Sequence, residues 1–237
     1  MLIMKQLVKR AFSLAGLGVY RLGASQDSKR PPKPVVSSPL HHNSKEGLNQ
    51  FYSDEATVES YLDHGFYQRL VSLLRDEGFD YDGKNVADIG CGTGGLLKSI
   101  QFRFKPASLT GFEYSEGALN IARSKIPGVK FDYLDVYEGT SLQFDALFCV
   151  EVLEHLLYPD QALTQVVGML APSGVALVTV PNGRIDTFEG HINFWSPESW
   201  SVFLNNLCDG YTVKTGAMED DKHIFAIIKR KSVQAKR

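Results

Sequence analysis

Cysteine is scarce in this chain of 237 residues, and neither sign of charge dominates. Cys91, Cys149 and Cys208 are too few and too scattered for a disulfide framework or a zinc ribbon. We therefore expect reduced thiols and a cytoplasmic protein. The formal net charge of −2 lacks the basic excess typical of nucleic-acid-binding proteins, so composition does not favour nucleic acid as a partner.

Long hydrophobic runs are also absent from the sequence. No apolar stretch reaches the roughly 20 residues that a membrane-spanning helix requires. The nearest is residues 1–23, where Lys5, Lys9 and Arg10 interrupt the apolar side chains. Helical spacing places these basic residues opposite an apolar face, which predicts an amphipathic helix. Such a helix either makes peripheral contact with an anionic inner-membrane surface or packs on its own domain.

The rest of the chain divides by composition into a linker and one domain. Residues 24–45 contain four prolines among polar residues. Proline fixes φ and lacks a backbone donor, so this segment is predicted to be a linker without regular structure. From Glu46 the composition becomes globular, which predicts a single folded domain over residues 46–237 that begins with helices.

Strands and helices are predicted to alternate through the first part of this domain. The apolar strands are expected at residues 85–89, 108–114, 129–134, 144–150 and 174–180. Intervening helices imply a parallel sheet covered on both faces, which is a Rossmann-like, doubly wound α/β fold. Two more strands, at 211–215 and 223–229, have no helix between them and predict an antiparallel hairpin at the sheet edge.

The strongest local signal is a glycine loop directly after the first strand. Residues 88–94 read Asp-Ile-Gly-Cys-Gly-Thr-Gly. Glycines allow a tight turn and close approach of a ligand, and the helix that follows offers free N–H groups. The loop lacks the Lys-Ser/Thr pair of nucleoside-triphosphate loops. It is predicted to hold a ligand at the edge of the sheet.

Acidic residues also follow the second and third strands. Glu113 precedes Tyr114, and Asp135 precedes Val136. Carboxyl ends of parallel strands form the usual ligand-binding edge of such sheets. Glu113 is placed to accept from ribose hydroxyls and Asp135 from an adenine amino group, while Tyr114 can stack on the base. Each acid alone is equally explained as a helix N-cap, but the ordered set favours ligand binding.

With these motifs, residues 85–229 resemble the class I S-adenosylmethionine-dependent methyltransferases. The resemblance implies a seven-stranded sheet of order 3-2-1-4-5-7-6 with an antiparallel last strand. It also implies S-adenosylmethionine as cofactor, covered by a segment around Phe51, Tyr52 and Tyr61. The cofactor-binding residues that it implies are Asp88, Gly90, Cys91, Gly92, Gly94, Glu113, Tyr114, Asp135, Val136 and Glu151.

A second group of polar residues follows the fourth strand. Glu151, Glu154 and His155 would share one side of a helix, and His191 comes later in a polar loop. The Glu-x-x-Glu-His run resembles metal-dependent O-methyltransferases of the ubiquinone pathway and of small RNAs. That resemblance implies a divalent metal, magnesium or manganese, on these four residues, with iron also compatible. Alternatively, His155 or His191 is a general base.

The acceptor is left open by the sequence. The resemblance implies oxygen as the nucleophile, and no Asn/Asp-Pro-Pro-Tyr motif of nitrogen methyltransferases follows the fourth strand. An aromatic stretch from Phe188 to Trp195 is a candidate acceptor pocket, whereas Trp200 is expected in the core. A small-molecule, lipid-linked or glycan acceptor is predicted. The alternatives are an RNA 2′-O-methyltransferase and a non-catalytic, S-adenosylmethionine-binding scaffold.

Overall fold

The structure, a computed structural model, describes residues 43–54, 58–59 and 64–231. The predicted amphipathic helix over residues 1–23, most of the predicted linker, and Tyr61 lie outside these residues. No helix in the described part of the chain has the length and apolar character needed to cross a membrane.

One seven-stranded sheet organises the domain, in the order β3-β2-β1-β4-β5-β7-β6. Strands β1 to β5 are parallel to one another, and β7 runs antiparallel to both β5 and β6. This confirms the predicted fold class and strand order. The strands are β1 (Asn85–Ile89), β2 (Ser108–Glu113), β3 (Lys130–Tyr133), β4 (Phe144–Val150), β5 (Leu170–Pro181), β6 (Tyr211–Met218) and β7 (His223–Arg230).

Helices precede the sheet and connect its strands. Their bounds are α1 (Lys45–Phe51), α2 (His64–Asp76), α3 (Gly95–Arg103), α4 (Glu116–Lys125), α5 (Pro159–Gly168) and α6 (Pro197–Leu207). Helix α1 starts inside the segment predicted as linker, because the Ser44 side chain caps it by accepting a hydrogen bond from the Gly47 amide at 3.1 Å.

The core consists of two apolar layers, one on each face of the sheet. Alternate side chains of a strand point to opposite faces. In β4, Phe148 therefore packs with helices α2, α3 and α4, while Cys149 packs with α5 and α6. Trp200 of α6 is fully buried in the second layer, as predicted. Burial of both faces explains why β4 is apolar from Ala146 to Val150.

The expectation that Glu151, Glu154 and His155 share one side of an α-helix is wrong. Glu151 follows β4 with a φ of +54°, a left-handed conformation that a non-glycine residue rarely adopts. Its amide still donates to the Thr179 carbonyl at 3.1 Å, which extends the pairing of β4 with β5 by one residue. Only a short 3₁₀ helix, Leu153–His155, follows. The spacing of these residues therefore does not place them on one helical face.

Candidate active site

A cavity of about 670 Å³ lies at the carboxyl ends of the parallel strands. Right-handed connections bring the loops that follow β1, β2, β3 and β4 to this one edge. Phe51 and Tyr52 of the preceding segment line the cavity too. Of the residues predicted to bind the cofactor, the cavity is lined by Asp88, Gly90, Cys91, Gly92, Glu113, Tyr114, Asp135, Val136 and Glu151.

The glycine loop passes close to its neighbours with left-handed backbone angles. Gly90 and Gly92 have φ values of +72° and +51°. A Cβ on Gly90 would lie 2.5 Å from Val152 Cγ2, and one on Gly92 would lie 3.0 Å from the Tyr52 hydroxyl. Larger residues are therefore excluded by conformation and by space. Gly94 begins α3 and packs near Phe131, but it does not line the cavity.

Glu113 connects the first two loops of the cavity. One carboxylate oxygen accepts from the Gly92 amide at 2.9 Å, and the other accepts from the Tyr114 and Ser115 amides at 2.8 and 2.9 Å. Ser115, and not Glu113, is the N-cap of α4. Burial raises the pKa of Glu113, while these three backbone hydrogen bonds oppose the rise.

Asp88 is a buried carboxylate at the end of β1. It is 3% exposed, and its Oδ1 has no hydrogen-bond partner among the described residues. Burial, and then the nearby charge of Glu113, raise the pKa of Asp88 well above its ordinary value. A buried carboxylate is costly without a donor or a cation. The position is therefore suited to a ligand that carries a positively charged donor.

The lining of this cavity is strongly acidic. Among the described residues that line it, none is Lys or Arg. Like charges at short range repel the phosphates of a dinucleotide, whereas they attract a cationic ligand. The carboxylates that line the cavity are Asp88, Glu113, Asp135, Glu151, Glu154 and Glu219.

Glu154, His155 and His191 form a cluster at one side of the cavity. Nε2 of His155 and Nε2 of His191 lie 3.9 and 3.8 Å from Glu154 Oε1. Ligand atoms of all three residues lie within 4.8 Å of one another, which would allow them to hold a metal ion. Glu154 is fully buried, and neither of its carboxylate oxygens has a hydrogen-bond partner among the described residues. Burial, followed by the charge of Glu151, raises its pKa well above the ordinary value.

The Nδ1 atoms of His155 and His191, on the other side of each ring from Nε2, lie close to oxygen atoms. His155 Nδ1 lies 3.2 Å from the Gly190 carbonyl, and His191 Nδ1 lies 2.5 Å from Asp186 Oδ2. A proton on each Nδ1 would satisfy these contacts and would place the lone pair of each imidazole on Nε2, the atom that can accept a proton or bind a metal. Sequence reasoning missed Asp186, for which the polar loop after β5 was the only signal.

Glu151 lies outside this cluster and contacts β5 and β7 instead. The Thr179 hydroxyl donates to Glu151 Oε1 at 2.8 Å, and His223 Nδ1 lies 3.0 Å from Glu151 Oε2. His223 was also missed by sequence reasoning, because it stands at the start of β7 without a motif. Its position opposite Pro181 in the β5–β7 pairing brings it to the site.

A second cavity of about 770 Å³ adjoins the first. Both are lined by Glu151, Phe188, His191 and His223. From the predicted aromatic stretch, Phe188 and His191 reach this space, whereas Trp195 is buried in the core.

Comparisons with known proteins agree with this geometry. A family model described as a methyltransferase domain matches residues 87–176. That match spans the glycine loop and strands β2 to β4, within a sheet of the order that the resemblance implied. These comparisons support assignment of the matched residues to the class I S-adenosylmethionine-dependent methyltransferases.

Curated methyltransferases are similar over part of their length. A ubiquinone biosynthesis O-methyltransferase of Dechloromonas aromatica is 33% identical over 114 residues, which cover 45% of this chain and 48% of that protein. A fatty-acid O-methyltransferase of Mycolicibacterium smegmatis is 34% identical over 113 residues, covering 45% of this chain and 40% of that protein. A trans-aconitate 2-methyltransferase of Methylobacterium nodulans is 34% identical over 98 residues, covering 41% and 38%. The chain thus spans about half the length of the curated relatives that it matches, or less.

Solved structures share the methyltransferase fold over more of the chain. A DhpI–SAH complex has a TM-score of 0.63 at 18% identity, covering 84% of this chain and all of that one (100%). The N-methyltransferase NodS of Bradyrhizobium japonicum, in complex with S-adenosyl-L-homocysteine, has a TM-score of 0.62 at 18% identity, covering 79% and 98%. At these identities the likeness concerns the fold alone.

Proposed function

We propose that this methyltransferase domain transfers the methyl group of S-adenosylmethionine to an oxygen of a small-molecule acceptor. The observation that carries the proposal is the first cavity, with its six carboxylates and, in the described part of the chain, no Lys or Arg. S-adenosylmethionine carries a sulfonium, an ammonium and one carboxylate but no phosphate, so its net positive charge complements the cavity. Nicotinamide and flavin dinucleotides carry two phosphates, which the carboxylates of the cavity would repel. The family and the curated relatives support the same conclusion.

Each part of the cofactor has a candidate partner. The unpartnered Asp88 suits the ammonium of the methionine end. Glu113 keeps acceptor capacity for a ribose hydroxyl, because its two oxygens together accept only three backbone hydrogen bonds. Asp135, whose Oδ1 accepts from the Tyr137 amide, is assigned to the adenine end. Tyr52 would cover the glycine loop.

When bound, S-adenosylmethionine supplies an electrophilic methyl group on a positively charged sulfur. Transfer forms a carbon–oxygen bond as the carbon–sulfur bond breaks, and the electron pair of that bond stays on sulfur. The protein must hold the acceptor oxygen in line with these atoms, which accounts for much of the expected rate. The acceptor hydroxyl also loses its proton. We assign His191 Nε2 as the proton acceptor and His155 as its neighbour, with Asp186 orienting His191.

A divalent metal on Glu154, His155 and His191 is the second part of the proposal. Two observations support it: a buried carboxylate without partners, and two imidazoles whose Nδ1 atoms are already occupied by outer acceptors. Such an ion would lower the pKa of an acceptor hydroxyl. Two imidazoles and one carboxylate suit manganese or iron better than magnesium. Glu151, predicted as a further ligand, contacts Thr179 and His223 and is left out of this set.

The cofactor assignment is tested first by calorimetry of S-adenosylhomocysteine binding. Asp88→Asn should weaken binding at least tenfold, whereas Asp209→Asn on the surface should leave it unchanged. Methyl-labelled S-adenosylmethionine with fractionated cell extract then tests turnover. Binding without label in any fraction would favour the non-catalytic scaffold. Failure to bind would contradict the proposed function.

The metal is tested by chelation of the same reaction. Loss of labelling with a chelator, and recovery with manganese, supports the metal. Glu154→Gln should then abolish metal binding measured by calorimetry. Labelling that survives chelation in metal-free protein would reject the metal and leave His191 as the base.

RNA as acceptor finds less support. It requires a basic groove, and in the described part of the chain the two cavities together are lined by a single Lys or Arg, Lys222. Lys98 and Arg103 are exposed on α3 and line neither cavity. Label recovered in an RNA fraction would nevertheless overturn the assignment to small molecules.

We also propose that residues 1–23 bring the enzyme to a membrane that holds a lipid-linked or glycan acceptor. The support is the sequence pattern of basic and apolar residues. Flotation with anionic vesicles should retain the full chain and lose a variant without residues 1–23. Equal behaviour of the two proteins would reject membrane contact.

A further inference from the structure

We infer that the acceptor is an uncharged ring compound that presents a hydroxyl group, and that carboxylates are poor acceptors. This inference rests on the proposed function and narrows its substrate class. It separates this chain from relatives whose names describe fatty-acid and trans-aconitate methylation. The second cavity carries the inference.

The second cavity has the position that an acceptor site requires. It opens beside the first cavity and shares Glu151, Phe188, His191 and His223 with it. A molecule held there lies next to the proposed proton acceptor, His191. Its volume of about 770 Å³ is in the range of ordinary small-molecule sites.

The charge of the second cavity disfavours an anion. Its lining contains the acids Glu151, Asp186 and Glu189, and Lys222 is the only Lys or Arg in the described part of that lining. While the histidines are neutral, the three acids and Lys222 have a net charge of −2, because three negative charges oppose one positive charge. Protonation of both His191 and His223 would raise this net charge to 0 and no higher, since the described lining has no other histidine.

A metal on the neighbouring cluster does not reverse this sign. A divalent ion together with an ionised Glu154 adds one positive charge, which changes the sum of −2 to −1 while the histidines stay neutral. A carboxylate acceptor would thus enter a site without a surplus of positive charge. The carboxylates of the lining would repel such an anion, whereas a neutral hydroxyl escapes this repulsion.

The same lining offers contacts that suit a hydroxylated ring. Two imidazole–carboxylate pairs, His191 with Asp186 and His223 with Glu151, provide donors and acceptors. Ile185 and Phe188 are 58% and 44% exposed and form an apolar wall. Aromatic and aliphatic side chains of this kind pack against the faces of phenolic rings and of sugars.

Paired probes test the inference with the full chain loaded with S-adenosylhomocysteine. The pairs are catechol with salicylate, and methyl glucoside with glucuronate, and affinity is measured by ligand-observed NMR. At least one neutral probe should bind ten times more tightly than its carboxylate partner. Discrimination within the catechol pair would indicate an aromatic acceptor, and discrimination within the glucoside pair would indicate a sugar. Equal or tighter binding of both carboxylates, or no binding of any probe, would overturn the inference.

Charge reversal identifies the cavity responsible. Glu189→Lys should increase salicylate affinity about fivefold, and Asp209→Lys, remote in sequence and exposed, should not. If both variants change salicylate affinity equally, or if neither changes it, this cavity is not the one that disfavours carboxylates. S-adenosylhomocysteine affinity, measured on the same samples, should be unchanged.

The labelled product gives an independent reading of the acceptor group. Methyl ethers withstand mild alkali, whereas methyl esters release volatile methanol. Non-volatile label supports the inference, and volatile label overturns it while leaving methyl transfer intact. Absence of S-adenosylhomocysteine binding would instead contradict the proposed function itself, and this inference with it.

Discussion

Strained and buried charged residues collect around the two cavities. The non-glycine residues with positive φ in the described chain are Glu151, Glu219, Asp220 and Asp221. Each such conformation costs on the order of 1–3 kcal/mol and persists only where neighbours determine it. Thr179 and His223 hold Glu151 in place. The cost is consistent with a carboxylate positioned for binding at the expense of stability.

Asp88 is expected to trade stability for binding. Because burial raises its pKa, its contribution to stability is complete below the ordinary carboxyl pKa and is lost as pH rises toward the raised value. Asp88→Asn should therefore raise the free energy of unfolding at pH 8 by on the order of 1 kcal/mol without cofactor, and by less at pH 5. Urea unfolding at both pH values measures this. A variant less stable than the wild type at pH 8 would contradict it.

Gly90 combines a left-handed φ with a close neighbour, and Gly78 provides a matched control. Both have positive φ, +72° and +82°, but a Cβ on Gly78 meets nothing within 4 Å. Gly78→Ala should cost about 1–2 kcal/mol from backbone strain alone. Gly90→Ala should cost more, because of Val152, and should also weaken S-adenosylhomocysteine binding at least tenfold. Calorimetry measures binding of S-adenosylhomocysteine to both variants. Equal affinities of Gly90→Ala and Gly78→Ala would show that the glycine loop tolerates a side chain.

At the scale of elements, Asn49 joins helix α1 to the start of α4. Asn49 Oδ1 accepts from the Ser115 hydroxyl at 2.7 Å and from the Gly117 amide at 3.2 Å. Helix α1 and the residue after it carry Phe51 and Tyr52, which line the first cavity. Asn49 thus helps to place these aromatic side chains.

Asn49→Ala should release this end of the cavity. We expect S-adenosylhomocysteine to dissociate about five to ten times faster, with a loss of about 1 kcal/mol in the free energy of unfolding. Stopped-flow displacement measures the rate. Ser53→Ala, which removes a hydrogen bond within the same segment to the Gln50 carbonyl, is the control and should leave the rate unchanged. Equal rates in all three proteins would contradict the covering role.

At the scale of the whole molecule, one sheet joins both apolar layers. Every strand from β1 to β7 is hydrogen-bonded into it, and each layer contains residues of β1, β4, β5 and β7. If either apolar layer is lost, one face of the sheet becomes exposed to water, and the second layer loses the stable sheet on which it packs. The described domain should therefore unfold cooperatively, as small domains usually do.

Cofactor should stabilise this unit as a whole. S-adenosylhomocysteine at 100 times its dissociation constant should add about 2.7 kcal/mol to the free energy of unfolding and raise the Tm by about 5–10 °C. Differential scanning calorimetry checks both the shift and the number of transitions. Two separate transitions of the domain, only one of them shifted by ligand, would contradict a single cooperative unit.

Much of the fold could be predicted because its signals are local. The bounds of β1 and β4 match the predictions, since apolar runs and flanking breakers mark them in the sequence. Strand β5 extends from Leu170, earlier than predicted. Its pairing with β4 shifts register between Phe144 and Ala146, an irregularity that depends on the partner strand and leaves no pattern of its own.

The sequence by itself determined the alternation of strands and helices, the glycine loop and the acids after β2 and β3, because turn chemistry and strand ends are encoded by neighbouring residues. The strand order followed from the family resemblance. Only the tertiary structure decided which side chains meet. His223 reaches Glu151 across 72 positions, and Asp186 rather than a helical neighbour orients His191. The left-handed Glu151 exists because β5 and β7 hold it. Such contacts between distant segments depend on packing in three dimensions, which no local spacing specifies.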